Sequence, residues 1–171
     1  VQILPPLPNL GPLWAYLLCF MKIEEKIKEA IVKDINNLGY ILWGIELSGK
    51  SNSKHIRIYI DNNNASITLE DCEKVNLFID DVLENSDFVT FNYSLEISSP
   101  GLERTFFNIQ QLKNFEDQII LVKYEEDSRK DSVLGKLLLV SDNHIEVMNN
   151  KMESIRINQN NYITSKLIYK G

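Results

Sequence analysis

Apolar residues recur at helical spacing twice in the first half of the chain. Elsewhere they recur mostly at strand spacing. Ile23, Ile27, Ala30, Ile31, Ile35 and Leu38 fall on one side of a helix, with lysines and glutamates opposite. Residues 22–38 are therefore predicted to be an amphipathic helix, which Gly39 stops. Tyr40 to Leu47, rich in aromatic and β-branched residues, predicts a strand, followed by a polar loop at 49–53. Ile56, Ile58 and Ile60 alternate with Arg57, Tyr59 and Asp61, which predicts a second strand hairpinned to the first. Thr68 with Asp71 three residues on resembles a capping box. Cys72, Val75, Ile79, Val82 and Leu83 continue at helical spacing, so 69–84 is a second helix with Cys72 as a buried thiol. Phe91, Tyr93, Leu95 and Ile97 alternate with polar residues and predict a third strand over 90–98.

The texture changes after residue 105. Phe106 to Phe115 reads as a connector with a short helix. Five strands follow in quick succession, at Ile119–Tyr124, Val133–Val140, His144–Met148, Glu153–Ile157 and Ile163–Tyr169, separated by polar turns. Asp127 to Asp131 is a charged turn. Gly135 inside a strand suggests the sharp bend a small barrel needs. The predicted fold is α+β. An N-terminal α-β-β-α-β two-layer domain at 21–105 is followed, after a linker at 106–112, by a C-terminal all-β SH3-like or Sm-like small barrel at 113–171.

The third strand runs into Ser98-Ser99-Pro100-Gly101-Leu102-Glu103-Arg104. Pro100 presets φ for one turn position, and Gly101 supplies the positive φ that a type II turn needs next. On residue types alone this is a hairpin corner. Two hydroxyls and an arginine on a stiff strand end also suit binding.

Charge narrows the choice of partner. The net charge is −6 and the pI about 5.0. Residues 21–105 hold 9 Lys/Arg against 15 Asp/Glu, and residues 106–171 hold 9 against 9. An acidic chain is poorly suited to free, non-specific nucleic-acid binding, which works by neutralising phosphates. A basic protein fits it better. Cys19 and Cys72 form no CxxC pair, and His55 and His144 stand alone, so neither a disulfide framework nor a zinc site is expected. No phosphate-binding glycine loop, nucleophile elbow or HExxH motif occurs. Asp80, Asp81 and Glu84 read as a solvated helix face. Residues 1–20 are apolar but broken by four prolines, and Leu13–Phe20 is too short to span a bilayer. They read as a non-native or upstream-translated leader, with a real extension or a targeting piece as the alternative.

From Met21 onward the chain resembles the bacterial ribosome maturation factor family RimP. The resemblance rests on Ile56-Arg57-Ile58-Tyr59-Ile60-Asp61, on Ile67-Thr68-Leu69-Glu70-Asp71-Cys72, and above all on Leu95 to Arg104, close to the family pattern [VI]-S-S-P-G-L-[DE]-R. Leu134-Gly135-Lys136-Leu137 also fits. So does Asn161 to Leu167, with Ser165 where the family has alanine. Glu103 stands for the usual Asp, and Thr105 and Phe106 replace a frequent Pro-Leu.

The resemblance implies a cytoplasmic, non-enzymatic, cofactor-free monomer with no membrane partner. It would bind the immature small (30S) ribosomal subunit through a basic ribosomal protein near the decoding centre and through local rRNA. The expected partner-binding residues are Ser98, Ser99, Pro100, Gly101, Leu102 and Arg104 at the turn. In the barrel they are Glu125 and Glu126 toward a basic protein, and Lys136, Arg156 and Lys166 toward phosphates. A general RNA-binding module or translation regulator is the alternative, and an enzyme of unrecognised type a third.

Overall fold

A computed structural model describes residues 22–169. It divides into two compact units. One holds the described residues up to Ile58 together with Asn62–Ile97. The other holds Tyr59–Asp61 with the described residues from Ser98 onward. The expected leader lies outside the described residues.

The first unit begins with α1 (Ile23–Asn37), whose start is tied by the Lys22 amide donating to Glu25 at 3.3 Å. Its end is a Schellman turn. The Tyr40 amide donates to Ile35 at 3.1 Å and the Gly39 amide to Asn36 at 3.0 Å, with Gly39 at φ 91°. Strands β1 (Ile41–Lys50) and β2 (Ser53–Asp61) follow, then α2 (Leu69–Glu84) and β3 (Asn92–Ser98). The sheet order is β1-β2-β3. Two residues join β1 to β2, so that pair is antiparallel. His55 meets Ser94 and Arg57 meets Glu96, an order that advances along both strands together. That is the order of a parallel pair, as a crossover through α2 requires. Ile27, Ile31 and Ile35 of α1, Val75, Ile79 and Leu83 of α2, and Ile56 and Ile58 of β2 are fully buried. These are the helical and alternating positions that the sequence marks. Trimming any one of the isoleucines or the leucine to alanine costs about 2–5 kcal/mol.

The second unit is a six-stranded antiparallel sheet in the order β4-β9-β5-β6-β7-β8. Its strands are β4 (Thr105–Phe106), β5 (Ile119–Glu126), β6 (Arg129–Val140), β7 (His144–Asn149), β8 (Ser154–Asn158) and β9 (Tyr162–Leu167). The ladder ends at β4 and β8, with no pairing between these two among the described residues. The chain is thus α+β, with an N-terminal α-β-β-α region and a β-rich C-terminal part, and the sheet is open rather than closed.

Several expectations change. Residues 106–112, read as a linker, carry Phe106, Ile109 and Leu112, all fully buried. Phe106 belongs to β4 and stacks edge-on against Phe115, with centroids 4.9 Å apart. The expected charged turn at 127–131 shrinks to Asp127-Ser128, both at positive φ (49° and 64°), the signature of a tight type I′ hairpin. Ladder bonds therefore carry Arg129 to Asp131 into β6 despite their polarity. Gly135 serves close approach rather than a bend. A Cβ there would lie 2.1 Å from the Met148 carbonyl oxygen in β7. The irregularities of pairing fall at Lys123/Tyr124 and Leu137/Leu139.

Candidate functional site

The Ser98–Arg104 stretch is no hairpin corner. It leaves β3 of the three-stranded sheet and enters β4 of the six-stranded one. Gly101 has φ 68°, with open space where a Cβ would sit. Pro100 is buried, the Ser98 hydroxyl donates to the Ser99 carbonyl at 3.2 Å, and Leu102 is 73% exposed. Arg104 points inward to Asp61 with an N–O distance of 2.7 Å, both side chains being a quarter or less exposed. Its carbonyl accepts from the Leu167 amide at 2.9 Å. Glu103 bonds Lys166 at 2.6 Å. The turn and β9 are thus stitched together, and the apolar Leu102 side chain is thrown well clear.

The remaining candidates lie on the sheet of the second unit. Ile120, Val122, Val133, Leu137, Ile145, Val147 and Ile157 mark its buried face. Lys136, Arg156 and Lys166 each adjoin a buried residue in the chain and pair across to half-buried positions, so all three sit on the opposite face. None stands alone. Lys136 pairs with Asp117 at 2.7 Å, Lys166 with Glu103, and Arg156 donates to His144 Nδ1 at 3.2 Å. Glu125 and Glu126 lie at the far end of β5, directly across from Lys130 and Arg129. The hairpin tip therefore offers mixed charge rather than an acidic patch.

A polar network on the sheet of the first unit is not visible in the sequence. Arg57 donates to Glu96 through Nη2 at 3.0 Å, and its Nε lies 2.9 Å from the other oxygen of the same carboxylate as an ion-pair contact. His55 adds Nε2 to Glu96 at 3.1 Å and Nδ1 to the Ser94 hydroxyl at 2.8 Å. The Arg57 bonds hold the Glu96 carboxyl below its usual pKa. These partners lie about forty residues apart in the chain, and only the strand register unites them. The Asp71 carboxyl is likewise held low, first by the Tyr40 hydroxyl at 2.5 Å and then by Thr68, whose amide it accepts at 2.8 Å. Asp80, read as solvated, accepts from the Tyr93 hydroxyl at 2.8 Å. Cys72 is half-buried rather than buried, and desolvation raises its thiol pKa. Among the described residues no three metal-ligating side chains cluster, and no helix is long and apolar enough to cross a membrane.

Fold and surfaces together define a two-unit α+β protein whose exposed features are ion-paired faces and a turn bearing an apolar side chain. The RimP_N family model, the RimP N-terminal domain, matches residues 30–103. The chain carries a RimP N-terminal domain, and the match supports its place in the RimP family of ribosome maturation factors.

Proposed function

We propose that this chain is a non-enzymatic assembly factor for the small (30S) ribosomal subunit. It docks on the immature particle in the cytoplasm through a basic ribosomal protein near the decoding centre and touches nearby rRNA only locally. The match of residues 30–103 to the RimP N-terminal domain carries this reading. The docking element is the second unit, read as a small SH3-like barrel; the pairing irregularities at Lys123/Tyr124 and Leu137/Leu139 support that reading, since bulges bend and twist a strand. Its outer face bears Lys136, Arg156 and Lys166 among carboxylates, a pattern suited to a protein of mixed charge. Leu102, on the Pro100-Gly101 turn, is an apolar anchor.

The test is a sucrose gradient of lysate containing the full chain. Co-migration with immature small subunits, and absence from mature ones, is the expected result. A chain that stays at the top of the gradient, or that binds naked rRNA tightly with a steep salt dependence, overturns the proposal. The second outcome would favour a general RNA-binding module or translation regulator.

A further inference from the structure

The turn from β6 to β7 gathers polar side chains on the outer face of the second unit. His144, Glu146 and Arg156 share that face, because their chain neighbours Ile145, Val147 and Ile157 are buried. His144 Nδ1 lies 3.2 Å from Arg156 Nη2, 2.6 Å from the Ser141 hydroxyl and 2.8 Å from Asn143 Oδ1. A guanidinium can only donate. The Arg156 bond therefore needs a lone pair on Nδ1, which makes the ring neutral with its proton on Nε2. That nitrogen faces Glu146 Oε1 at 3.8 Å. Protonation reverses the demand. Nδ1 then carries a hydrogen that Arg156 cannot accept, whereas the Ser141 hydroxyl and the Asn143 oxygen both can. Each protonation state of the ring has a partner already in place, and only the neutral state holds Arg156.

Local charge decides what a released arginine can do. Glu146 pairs directly across from Arg156 in the β7–β8 ladder. Asp142, in the turn itself, is taken by Lys113 at 3.2 Å. Strand β6 adds only the apolar Leu139 and Val140, across from Glu146 and Ile145. While the imidazole is neutral, Arg156 and Glu146 cancel. A protonated His144 turns its own charge on Glu146 and leaves Arg156, whose side chain is exposed, without a cancelling acid. We propose that Arg156 and His144 form a proton-gated site for a phosphate-type oxyanion. The gate is closed while neutral His144 holds Arg156 beside Glu146, and open once protonated His144 takes Glu146 and lets Arg156 go. Imidazoles change charge between about pH 5 and 8, so the gate works near neutrality. The inference lies within the second unit and does not rest on the ribosomal reading.

The test uses the ¹⁵N-labelled full chain and two probes whose charge is constant from about pH 5.5 to 8, inorganic sulfate and the dinucleotide UpU. The chain has two histidines, so His55→Gln leaves the His144 ring signals alone in the spectrum. At about pH 8 those signals should be those of the Nε2–H tautomer. Probe binding should be at least about fivefold tighter at pH 5.5 than at pH 8, the worth of one added unit charge about 4 Å away even in water. His144→Gln should remove that pH dependence, and His55→Gln should leave it intact. Arg156→Gln, on an exposed side chain, should weaken binding at pH 5.5 by a similar factor and leave the melting temperature unchanged. Glu146→Gln should raise the affinity at pH 8 toward that of the parent at pH 5.5. Binding of UpU alone assigns the site to a nucleic-acid phosphate, and of sulfate alone to a free anion. An Nδ1–H tautomer at pH 8 overturns the proposal. So does failure of both probes to bind at pH 5.5, binding that is independent of pH, or a pH dependence that survives His144→Gln.

Discussion

Replacing Gly135 by alanine tests the claim that β6 and β7 touch backbone to backbone at this point. The added Cβ would lie 2.1 Å from the Met148 carbonyl oxygen, 2.8 Å from its carbonyl carbon and 2.9 Å from Val147 Cγ1. Real Cβ contacts stay beyond 3.0 Å, so β7 must retreat by roughly 1 Å to relieve the closest of these overlaps. Two of the three atoms belong to the backbone, so no rotamer change helps. Retreat stretches the bonds between β6 and β7, where Lys136 faces Met148 and Leu137 faces Val147. Leu137 and Val147 are fully buried, so the strain reaches the core. Overpacking of this kind costs about 1–3 kcal/mol, and the backbone origin puts Gly135→Ala at the upper end. For a chain of this length that corresponds to a fall in Tm of roughly 4–10 °C. Segment-resolved hydrogen exchange should show lost protection in β6 and β7 and unchanged protection in α1 and α2. A Tm within about 1 °C of the parent, with β6 and β7 still protected, would refute the reasoning.

Gly101→Ala should cost about 1–2 kcal/mol in denaturant titration, from the left-handed backbone at φ 68° alone, since no atom lies within 4 Å of the new Cβ. A cost near zero would mean that the turn relaxes to negative φ. Arg104→Ala and Asp61→Ala, taken through a double-mutant cycle, should show a coupling of about 1–2 kcal/mol, and Arg104→Lys should recover only part of it. No coupling would assign the arginine to another role. The folded Asp71 pKa is depressed, so its stabilisation is complete above about pH 5 and fades as pH falls through the folded pKa. Asp71→Asn should therefore lower Tm at pH 7, and the gap from the parent should close in acid; a gap independent of pH would contradict the hydrogen-bond account. Ser165→Ala should change stability by less than about 1 kcal/mol, because Tyr162 keeps its bond to the Phe106 carbonyl at 3.0 Å. A loss well beyond that, read from the same titration, would show that the 2.7 Å bond between the Tyr162 and Ser165 hydroxyls carries the corner.

Much of the first unit was legible because its code is local. Gly39 ends α1 where the apolar period stops, and Ile56, Ile58 and Ile60 alternate as a half-buried strand must. Hairpin ends were not legible. Lys50, Ser53 and Arg129 to Asp131 look like loop residues, yet tight two-residue turns carry the ladder through them, and backbone bonding overrides side-chain polarity. Strand β4 was hidden for another reason. Two residues show no period, and Phe106 is inside only because β9 lies alongside. The candidate site was legible as a motif but not as a geometry. Ser98 to Arg104 stands out in the sequence, whereas the tie of Arg104 to Asp61, the tie of Glu103 to Lys166 and the network around Glu96 span roughly forty to sixty residues. Sequence patterning carries no register information over such distances.

The ion pairs on the second unit bear on which partner that face can accept. Lys136 and Lys166 are about half exposed, and so are their acids or more so, and exposed pairs are worth roughly 0–1 kcal/mol each. A stronger anion can displace Asp117 or Glu103 at that small cost. Each displacement, however, releases a carboxylate beside the newcomer. An RNA phosphate taking Lys166 would then face the freed Glu103, and one taking Lys136 would face Asp117. Much of the electrostatic gain is returned as like-charge repulsion. A protein partner escapes this penalty, since its own acid can take the lysine while its arginine or lysine takes the freed carboxylate. Pairwise exchange keeps every charge satisfied and fixes the register of docking. A face built of paired charges thus discriminates against bare polyanions without needing a net negative charge, in keeping with 9 bases and 9 acids over residues 106–171. Removing the carboxylates should reverse that preference. Glu103→Gln with Asp117→Asn should strengthen binding of the full chain to naked rRNA and steepen its salt slope by up to about 0.7–0.9 for each lysine freed. A slope unchanged by both substitutions would show that these lysines never meet phosphate.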